Sequence, residues 1–148
     1  AAWLRYHPAS GTVFALLTNG GNGKGLAGAL LDEVFGAHAG VRPPATPEVT
    51  PGFAFDTALY EGRYANWMET IEVTAESGRL IATIVPSPSA AVISGVKRVP
   101  LDAVDAELFT GVAPGFTERA TYHFLERDDA GRPRILHGGV RAHKRVGA

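Results

Sequence analysis

The sequence predicts a mainly β protein, with a small antiparallel barrel or sandwich preceded by a β-hairpin and one α-helix. Short segments alternate apolar and polar residues, which is the pattern of half-buried antiparallel strands. Turn residues separate these segments about every 8 to 12 positions, as in small all-β barrels and sandwiches. Near the start, one segment follows a helical period instead. We therefore expect about six to eight short strands and one helix.

The plainest strand pattern lies in residues 60–86. Ile71 and Val73 alternate with polar residues, so one face of a strand is buried while the other meets water. A polar turn with Gly78 follows, and glycine adopts a positive φ without steric cost. The alternation resumes up to Pro86, which cannot donate to a β-ladder. This pattern predicts a hairpin with a short strand before it.

The first forty residues predict a second hairpin followed by a helix. An alternating segment, residues 3–7, precedes the apolar run TVFALLTN, residues 12–19. From Leu26 onward, apolar residues recur three and four positions apart, which gives a broad apolar stripe on a helix. The expected caps are Asn22 at the N-terminus and Gly36 or Gly40 at the C-terminus.

A proline-rich segment divides the chain. Residues 41–56 show no hydrophobic period and hold four prolines between Pro43 and Pro51. Such a composition favours an extended and fairly stiff linker. We therefore predict a first unit at residues 1–40 and a β domain at residues 57–148.

The end of the chain carries two further segments of strand character. Residues 120–127 alternate, and a glycine-containing turn follows them. Residues 134–146 are expected to form one final strand. The pair Gly138 and Gly139 predicts a bulge or sharp bend within it, as barrel corners often need.

The composition excludes several classes of function. The 14 basic and 15 acidic residues give a formal net charge of −1, so no global charge favours nucleic acid. The absence of cysteine removes disulfides and thiolate chemistry. All apolar runs are far shorter than the roughly 20 residues that span a bilayer. We expect a soluble chain with no nucleic-acid partner and no membrane span, while leaving open whether it is cytoplasmic or exported.

Three histidines raise the question of a metal site. His123, His137 and His143 could approach one another if their strands pair. No carboxylate accompanies them at the spacing that metal ligands show, and exposed histidines are common on strands. We therefore predict no metal and no cofactor.

Aromatic and basic residues supply the candidates for ligand binding. Four aromatic residues of the β domain could line a barrel interior, although most such residues simply form the core. The basic run at residues 141–145 fits either a solvated edge strand or a patch for an anionic ligand or a partner. The candidate ligand-binding residues are Tyr64, Trp67, Tyr122, Phe124, Arg141 and His143.

Two segments resemble parts of a known group of enzymes. Residues 7–36, HPASGTVFALLTNGGNGKGLAGALLDEVFG, resemble the end of the catalytic domain in serine β-lactamase-like hydrolases. This group includes class C β-lactamases, D-alanyl-D-alanine peptidases and related esterases. Residues 60–64 resemble the opening strand of the small lipocalin-like domain that some of these hydrolases carry at the C-terminus. The resemblance implies that residues 57–148 form a lipocalin-like β-barrel.

The resembled enzymes use Ser-x-x-Lys, Tyr-x-Asn and a Lys- or His-x-Gly strand, and all three strings occur here. They lie at residues 94–97, 64–66 and 137–139. The chemistry needs the serine at a helix N-terminus with the lysine one turn later, but residues 95–100 do not favour a helix. We interpret the three strings as coincidences and predict no catalytic residue in this chain.

The resemblance implies a non-catalytic C-terminal module of a serine hydrolase, which packs near the catalytic domain and shapes substrate access. Two alternatives remain open at this point. The first is a free-standing lipocalin-like binder of a small apolar ligand. The second is a structural domain that self-associates as a homo-oligomer through residues 1–36, whose strand edges and apolar helix stripe would lack partners.

Overall fold

The computed structural model describes residues 2–42, 45–92, 94–138 and 141–147. The chain divides into two compact units, residues 1–45 and residues 46–148. It is mainly β, with a two-stranded sheet, one α-helix and a closed eight-stranded antiparallel barrel. The predicted fold class is therefore confirmed.

Ten strands, one α-helix and one turn of 3₁₀ helix make up the described structure. The first unit contains β1 (Ala2–His7), β2 (Thr12–Leu17) and α1 (Gly23–Ala39). The second unit contains the 3₁₀ turn (Thr57–Leu59), β3 (Gly62–Ala65), β4 (Glu69–Glu76), β5 (Arg79–Pro86), β6 (Lys97–Ala103), β7 (Leu108–Gly111), β8 (Ala120–Arg127), β9 (Pro133–Gly138) and β10 (Arg141–Val146).

The first unit is a hairpin followed by a capped helix, as the sequence predicts. Strands β1 and β2 pair antiparallel, with His7 opposite Thr12. The Asn22 side chain caps α1 by accepting a hydrogen bond from the Gly25 amide at 3.0 Å. Gly40 ends the helix with φ of 65°, a left-handed conformation that favours glycine. No helix within the described residues is both long and apolar enough to cross a membrane.

The two faces of the β1–β2 hairpin differ sharply in burial. Phe14 is buried together with Phe35 of α1. The strand alternation places apolar residues on the opposite face, and they are exposed. The exposed fractions are 66% for Leu4, 60% for Tyr6, 59% for Val13 and 83% for Leu17. This hairpin therefore presents an uncovered apolar face.

The second unit is an up-and-down barrel. Each strand from β3 to β10 pairs antiparallel with the next, and β10 closes the barrel by pairing with β3. This strand order is also that of lipocalins. The β4–β5 turn consists of Ser77 and Gly78, with φ of 51° and 78°, and two positive values are typical of a type I′ hairpin turn. The hairpin predicted in residues 60–86 is therefore confirmed.

Inward-facing side chains fill one end of the barrel, which we call the aromatic end. Rings of Phe55, Tyr60, Tyr64, Phe109 and Phe124 meet edge to face there, with centroid distances of 5.0 to 5.8 Å. Aliphatic side chains continue the core around them. The fully buried members include Ile71, Val73, Leu80, Val99, Leu101 and Leu136.

Part of the predicted linker belongs to the barrel unit. The Thr50 amide donates to the Ala103 carbonyl at 2.9 Å, and the Thr50 hydroxyl donates to the Val104 carbonyl at 2.7 Å. Phe55 packs on Phe109, with ring centroids 5.1 Å apart. The structure thus differs from the predicted linker at residues 46–56, because the Phe53 and Phe55 rings pack against the barrel core. Pro43 and Pro44 lie outside the described residues.

The C-terminal segment forms two strands where the sequence predicts one bent strand. Strands β9 and β10 pair antiparallel, with Arg141 opposite Gly138. The two strands therefore run in opposite directions, and residues 139–140 lie outside the described ranges. Apolar alternation continues on both sides of this reversal, so the period does not reveal it. The second strand is the one that closes the barrel.

Candidate functional site

The barrel end opposite the aromatic end holds charged side chains, and we call it the rim end. The loops β3–β4, β5–β6 and β7–β8 meet there. A hydrogen bond from the Ser87 amide to the Met68 carbonyl, at 2.7 Å, joins the first loop to the end of β5. Small barrels commonly place their binding sites at such an end, because loops there vary while the barrel stays rigid.

A histidine and a carboxylate pair inside the barrel near the rim end. His143 is fully buried, with its Nε2 atom 3.1 Å from Oε1 of Glu69. Its Nδ1 atom lies 3.2 Å from the Leu136 carbonyl oxygen. Both ring nitrogens thus face an acceptor oxygen. The alternation of β4 brings Glu69 onto the same inner face as Ile71.

Tyr122 lies beside this pair. Its side chain is buried, and burial together with the nearby Glu69 carboxylate raises the pKa of Tyr122 to about 12. The phenol is therefore neutral near pH 7. Gly138 allows the ring to approach, since a Cβ atom at that position would lie 3.2 Å from Cδ1 of Tyr122.

Two cations at the rim end lie on the same strand faces as buried core residues. Lys97 shares the strand face of Val99 and Leu101 on β6, and its Nζ atom lies 5.3 Å from the centroid of the Phe116 ring. Arg141 shares the strand face of His143 on β10 and is exposed. The rim end therefore combines one paired carboxylate with two cations.

Exposed apolar side chains occur in the loops and strand ends at the rim end, and we call them the apolar rim. The most exposed are Val92 at 86% and Trp67 at 77%. Exposed apolar side chains that cluster on a surface mark interaction sites. The apolar rim comprises Trp67, Val85, Val92, Val96, Val112 and Phe116.

The structure separates the six candidate ligand-binding residues. Tyr64 and Phe124 belong to the aromatic end and pack in the core. Tyr122, Arg141 and His143 lie at the rim end. Trp67 stands outside the barrel in the β3–β4 loop, so it does not line the interior as the aromatic pattern predicts.

Tyr64 has a structural role at the aromatic end. Its hydroxyl donates to the Tyr60 carbonyl at 2.8 Å and accepts from Nη2 of Arg145 at 2.9 Å. Burial raises the pKa of Tyr64, and the charge of Arg145 opposes this rise. The Tyr64 side chain is thus fully engaged within the protein.

The three histidines do not meet. His123 and His137 lie directly opposite each other on β8 and β9. His143 is buried inside the barrel on the other face of the sheet, since its β9 partner is Leu136. Within the ranges that the structure describes, no group of three His, Asp or Glu side chains could hold a metal ion.

The three strings that match the hydrolase motifs also lie apart. Ser94 is in the β5–β6 loop, where its hydroxyl donates to the Gly95 carbonyl at 3.5 Å, and Lys97 begins a strand instead of sitting on a helix. Tyr64 is buried at the aromatic end. His137 pairs with Ala142 on the outer face of β9, and Gly139 lies outside the described residues.

Sequence reasoning missed Glu69 and Lys97. Both were visible in principle, because Glu69 continues the apolar alternation of Ile71 and Val73, and Lys97 continues that of Val99. A charged residue at an inward position of a strand is the signal that could have found them.

The fold defines a class of protein in which a hairpin-and-helix unit precedes an eight-stranded up-and-down barrel. No family model matches the chain, and no curated protein matches it. A crystal structure of SurE with D-Leu is similar, with 26% identity and a TM-score of 0.60 over 98% of this chain and 32% of that chain. A second crystal structure of SurE gives 26% identity and a TM-score of 0.59 over 98% and 31%. The chain thus spans about a third of the length of the SurE chains.

Proposed function

We propose that this chain acts as the non-catalytic C-terminal module of a β-lactamase-like serine hydrolase, packing near the catalytic domain and shaping substrate access. One observation carries the proposal. Both units together, over 98% of this chain, correspond to only about a third of a longer solved chain. A fold that recurs as part of a longer chain suits a module better than a free-standing enzyme.

Among the described residues, the three strings that match the hydrolase motifs do not converge, which supports the non-catalytic role. Nucleophilic catalysis requires a serine within hydrogen-bond reach of its base. Ser94 lies in an exposed loop, whereas Tyr64 is buried at the aromatic end and His137 lies on the outer face of β9. These three residues cannot act on one reacting atom.

The rim end suits a role in substrate access. The apolar rim offers Trp67 and Phe116 to an apolar group, while Lys97 and Arg141 supply positive charge beside it. One of the similar structures is SurE with D-Leu. We extend this to the proposal that the parent hydrolase takes a substrate with an apolar D-amino-acid residue, whose side chain meets the apolar rim.

The barrel interior does not specifically support the alternative function, a lipocalin-like binder. Tyr64, Phe109 and Phe124 are fully buried against one another at the aromatic end, so this half is filled by side chains. The free-standing binder of a small apolar ligand stays a prediction. A saturable fluorescence titration with a hydrophobic dye would support it.

Hydrolysis assays on this chain test the non-catalytic role. We expect a chromogenic β-lactam and a p-nitrophenyl ester to turn over no faster with the chain than in buffer. The Ser94→Ala variant should behave identically. Turnover by the wild-type chain that disappears in Ser94→Ala would contradict the proposal.

The parent enzyme can be tested separately. The reading frame upstream of residue 1 should encode a Ser-x-x-Lys helix followed by a Tyr-x-Asn loop. In the longer protein, we expect Trp67→Ala to raise KM several-fold while kcat changes less, because the rim acts on binding. Val146→Ala, an exposed apolar residue at the other end, is the matched control. Equal effects of both variants would count against a rim that shapes access.

A further inference from the structure

A basic groove lies at the aromatic end of the barrel, beside the ends of β3 and β10. Its volume is about 460 Å³, and Gly62, Arg63, Arg132 and Arg145 line it. A second groove of about 400 Å³ shares Arg132 and Arg145 with it. The two are therefore lobes of one surface depression, in the size range of small-molecule sites.

Arg145 is a fixed hydrogen-bond donor at the base of this groove. Its Nε atom donates to the Pro133 carbonyl at 2.9 Å, and Nη1 donates to the Glu61 carbonyl at 2.9 Å. Its Nη2 atom donates to the Leu59 carbonyl and the Tyr64 hydroxyl. A guanidinium has five N–H donors, so these four bonds leave one hydrogen on Nη1.

Gly62 leaves room above that atom. A Cβ at this position would lie 2.8 Å from Nη1 of Arg145, so any other residue would displace the guanidinium. Gly62 also has φ of 146°, which side-chain-bearing residues rarely adopt. A rigid donor beside a bare Cα is the arrangement that lets an oxyanion approach closely.

The charges around the groove leave cations in excess. Arg132 is paired with Asp128 at 3.0 Å, and hydrogen bonds from the Arg132 amide and side chain lower the pKa of that carboxyl. Glu61 accepts from the Ala75 amide at 2.7 Å. Across the described ranges, four basic groove residues form no ion pair, namely Arg63, Arg134, Lys144 and Arg145. Three carboxylates remain near them without an ion pair: Glu61 in the first lobe, Glu126 in the second lobe and Glu72 opposite Arg63.

We propose that this groove binds a phosphate group, held by Arg63 and the remaining Nη1 hydrogen of Arg145. Guanidinium groups match phosphate oxygens with short, charge-assisted hydrogen bonds. The second lobe, with Arg134 and Lys144, accommodates the rest of a small phosphorylated molecule. The same chemistry serves free inorganic phosphate, which would occupy the first lobe alone.

Calorimetric titration of the chain at constant ionic strength tests this site. The two probes are inorganic phosphate and glycerol 3-phosphate. We expect saturable binding, with the Gly62 amide resonance shifting during the same titration. Tighter binding of glycerol 3-phosphate assigns the ligand as a phosphorylated molecule, and equal binding assigns it as the free ion.

Matched variants locate the site. Arg63→Gln should weaken phosphate binding at least about 10-fold, because it removes one charge-assisted contact. Arg98→Gln, an exposed arginine on β6 outside the groove, should leave the affinity unchanged. Both side chains are exposed, so the variants should fold, which circular dichroism verifies.

Two results would overturn the inference. The first is an absence of saturable binding for both probes; if poly-glutamate then binds with a steep salt dependence, the groove is a diffuse basic surface for an acidic protein. The second is equal weakening of phosphate binding by the two variants.

Discussion

Glu69 and His143 form a hydrogen-bonded pair inside the barrel, with Oε1 of Glu69 3.1 Å from Nε2 of a fully buried imidazole. They are 74 positions apart in the sequence. Their hydrogen bond connects β4 to β10 across the barrel interior near the rim end. We therefore expect it to stabilise the closed barrel, and it places the Glu69 carboxylate at that end.

Removal of the carboxylate should destabilise the barrel. Glu69→Leu leaves the buried Nε2 atom without its partner, and an unsatisfied buried polar group costs about 1–3 kcal/mol. Glu69→Gln keeps an acceptor oxygen and should cost less. Urea denaturation measures the difference, and Glu72→Leu on the exposed face of β4 is the control. Equal losses for Glu69→Leu and Glu72→Leu would refute a role for the pair.

The raised pKa of Tyr122 makes stability depend on alkaline pH. The proton binds folded Tyr122 more tightly, so the contribution is complete below the unfolded pKa of 10.0 and disappears as pH rises to about 12. Two pKa units correspond to about 3 kcal/mol. Urea denaturation between pH 8 and pH 12 should show this loss in the wild type. The Tyr122→Phe variant should lose less stability over this pH range, because it lacks the Tyr122 contribution. The loss that remains comes from Tyr64, which is present in both proteins and also has a raised pKa.

Arg145 should be far more important for stability than its basic neighbours. Arg145→Met removes four hydrogen bonds and leaves three backbone carbonyls without this donor, which should cost about 3 kcal/mol or more. Lys144→Met, on the next position of β10, should change stability by less than about 0.5 kcal/mol because Lys144 is exposed. Thermal and urea unfolding of the two variants provide the comparison.

Substitution of Phe55 tests whether residues 46–56 act as a linker or as part of the barrel unit. Phe55→Ala should lower the free energy of unfolding by about 2–3 kcal/mol, since the ring packs on Tyr60 and Phe109. Glu48→Ala, an exposed change in the same segment, should have little effect. If both variants unfold like the wild type, residues 46–56 do not contribute to the fold.

The apolar face of the β1–β2 hairpin predicts self-association of this chain. Leu17→Lys places a charge on that face, where Leu17 is 83% exposed, and should weaken association. Sedimentation equilibrium over a range of concentrations measures it. Ala29→Lys, an exposed change on α1, should leave the association constant unaltered. A wild-type chain that stays monomeric at high concentration would contradict the prediction.

Local patterns explain why so much of the fold could be predicted. The alternation around Ile71 and Val73 reflects strands with one buried face, and Asn22 and Gly40 act through neighbouring residues only. These signals depend on a few adjacent positions. For that reason the hairpins and the helix could be placed from the sequence.

The candidate site depends on contacts that no local pattern contains. Tyr64 and Trp67 are three positions apart and both aromatic, yet one is buried in the barrel and the other is exposed in a loop. The difference arises because β3 ends at Ala65, so that Tyr64 lies in the strand and Trp67 in the loop that follows. Likewise, the pairing of Glu69 with His143 depends on how far apart β4 and β10 lie around the closed sheet.

The pairing of β10 with β3 also has a consequence for biosynthesis. Val146 lies opposite Arg63, so the ladder that seals the barrel joins residues more than half the chain apart. Strand β10 must leave the ribosome before this ladder can form, because β3 pairs only with β4 and β10 in the part of the chain that the structure describes. Until then the nascent barrel exposes two strand edges, and unpaired edges are prone to pair with another chain.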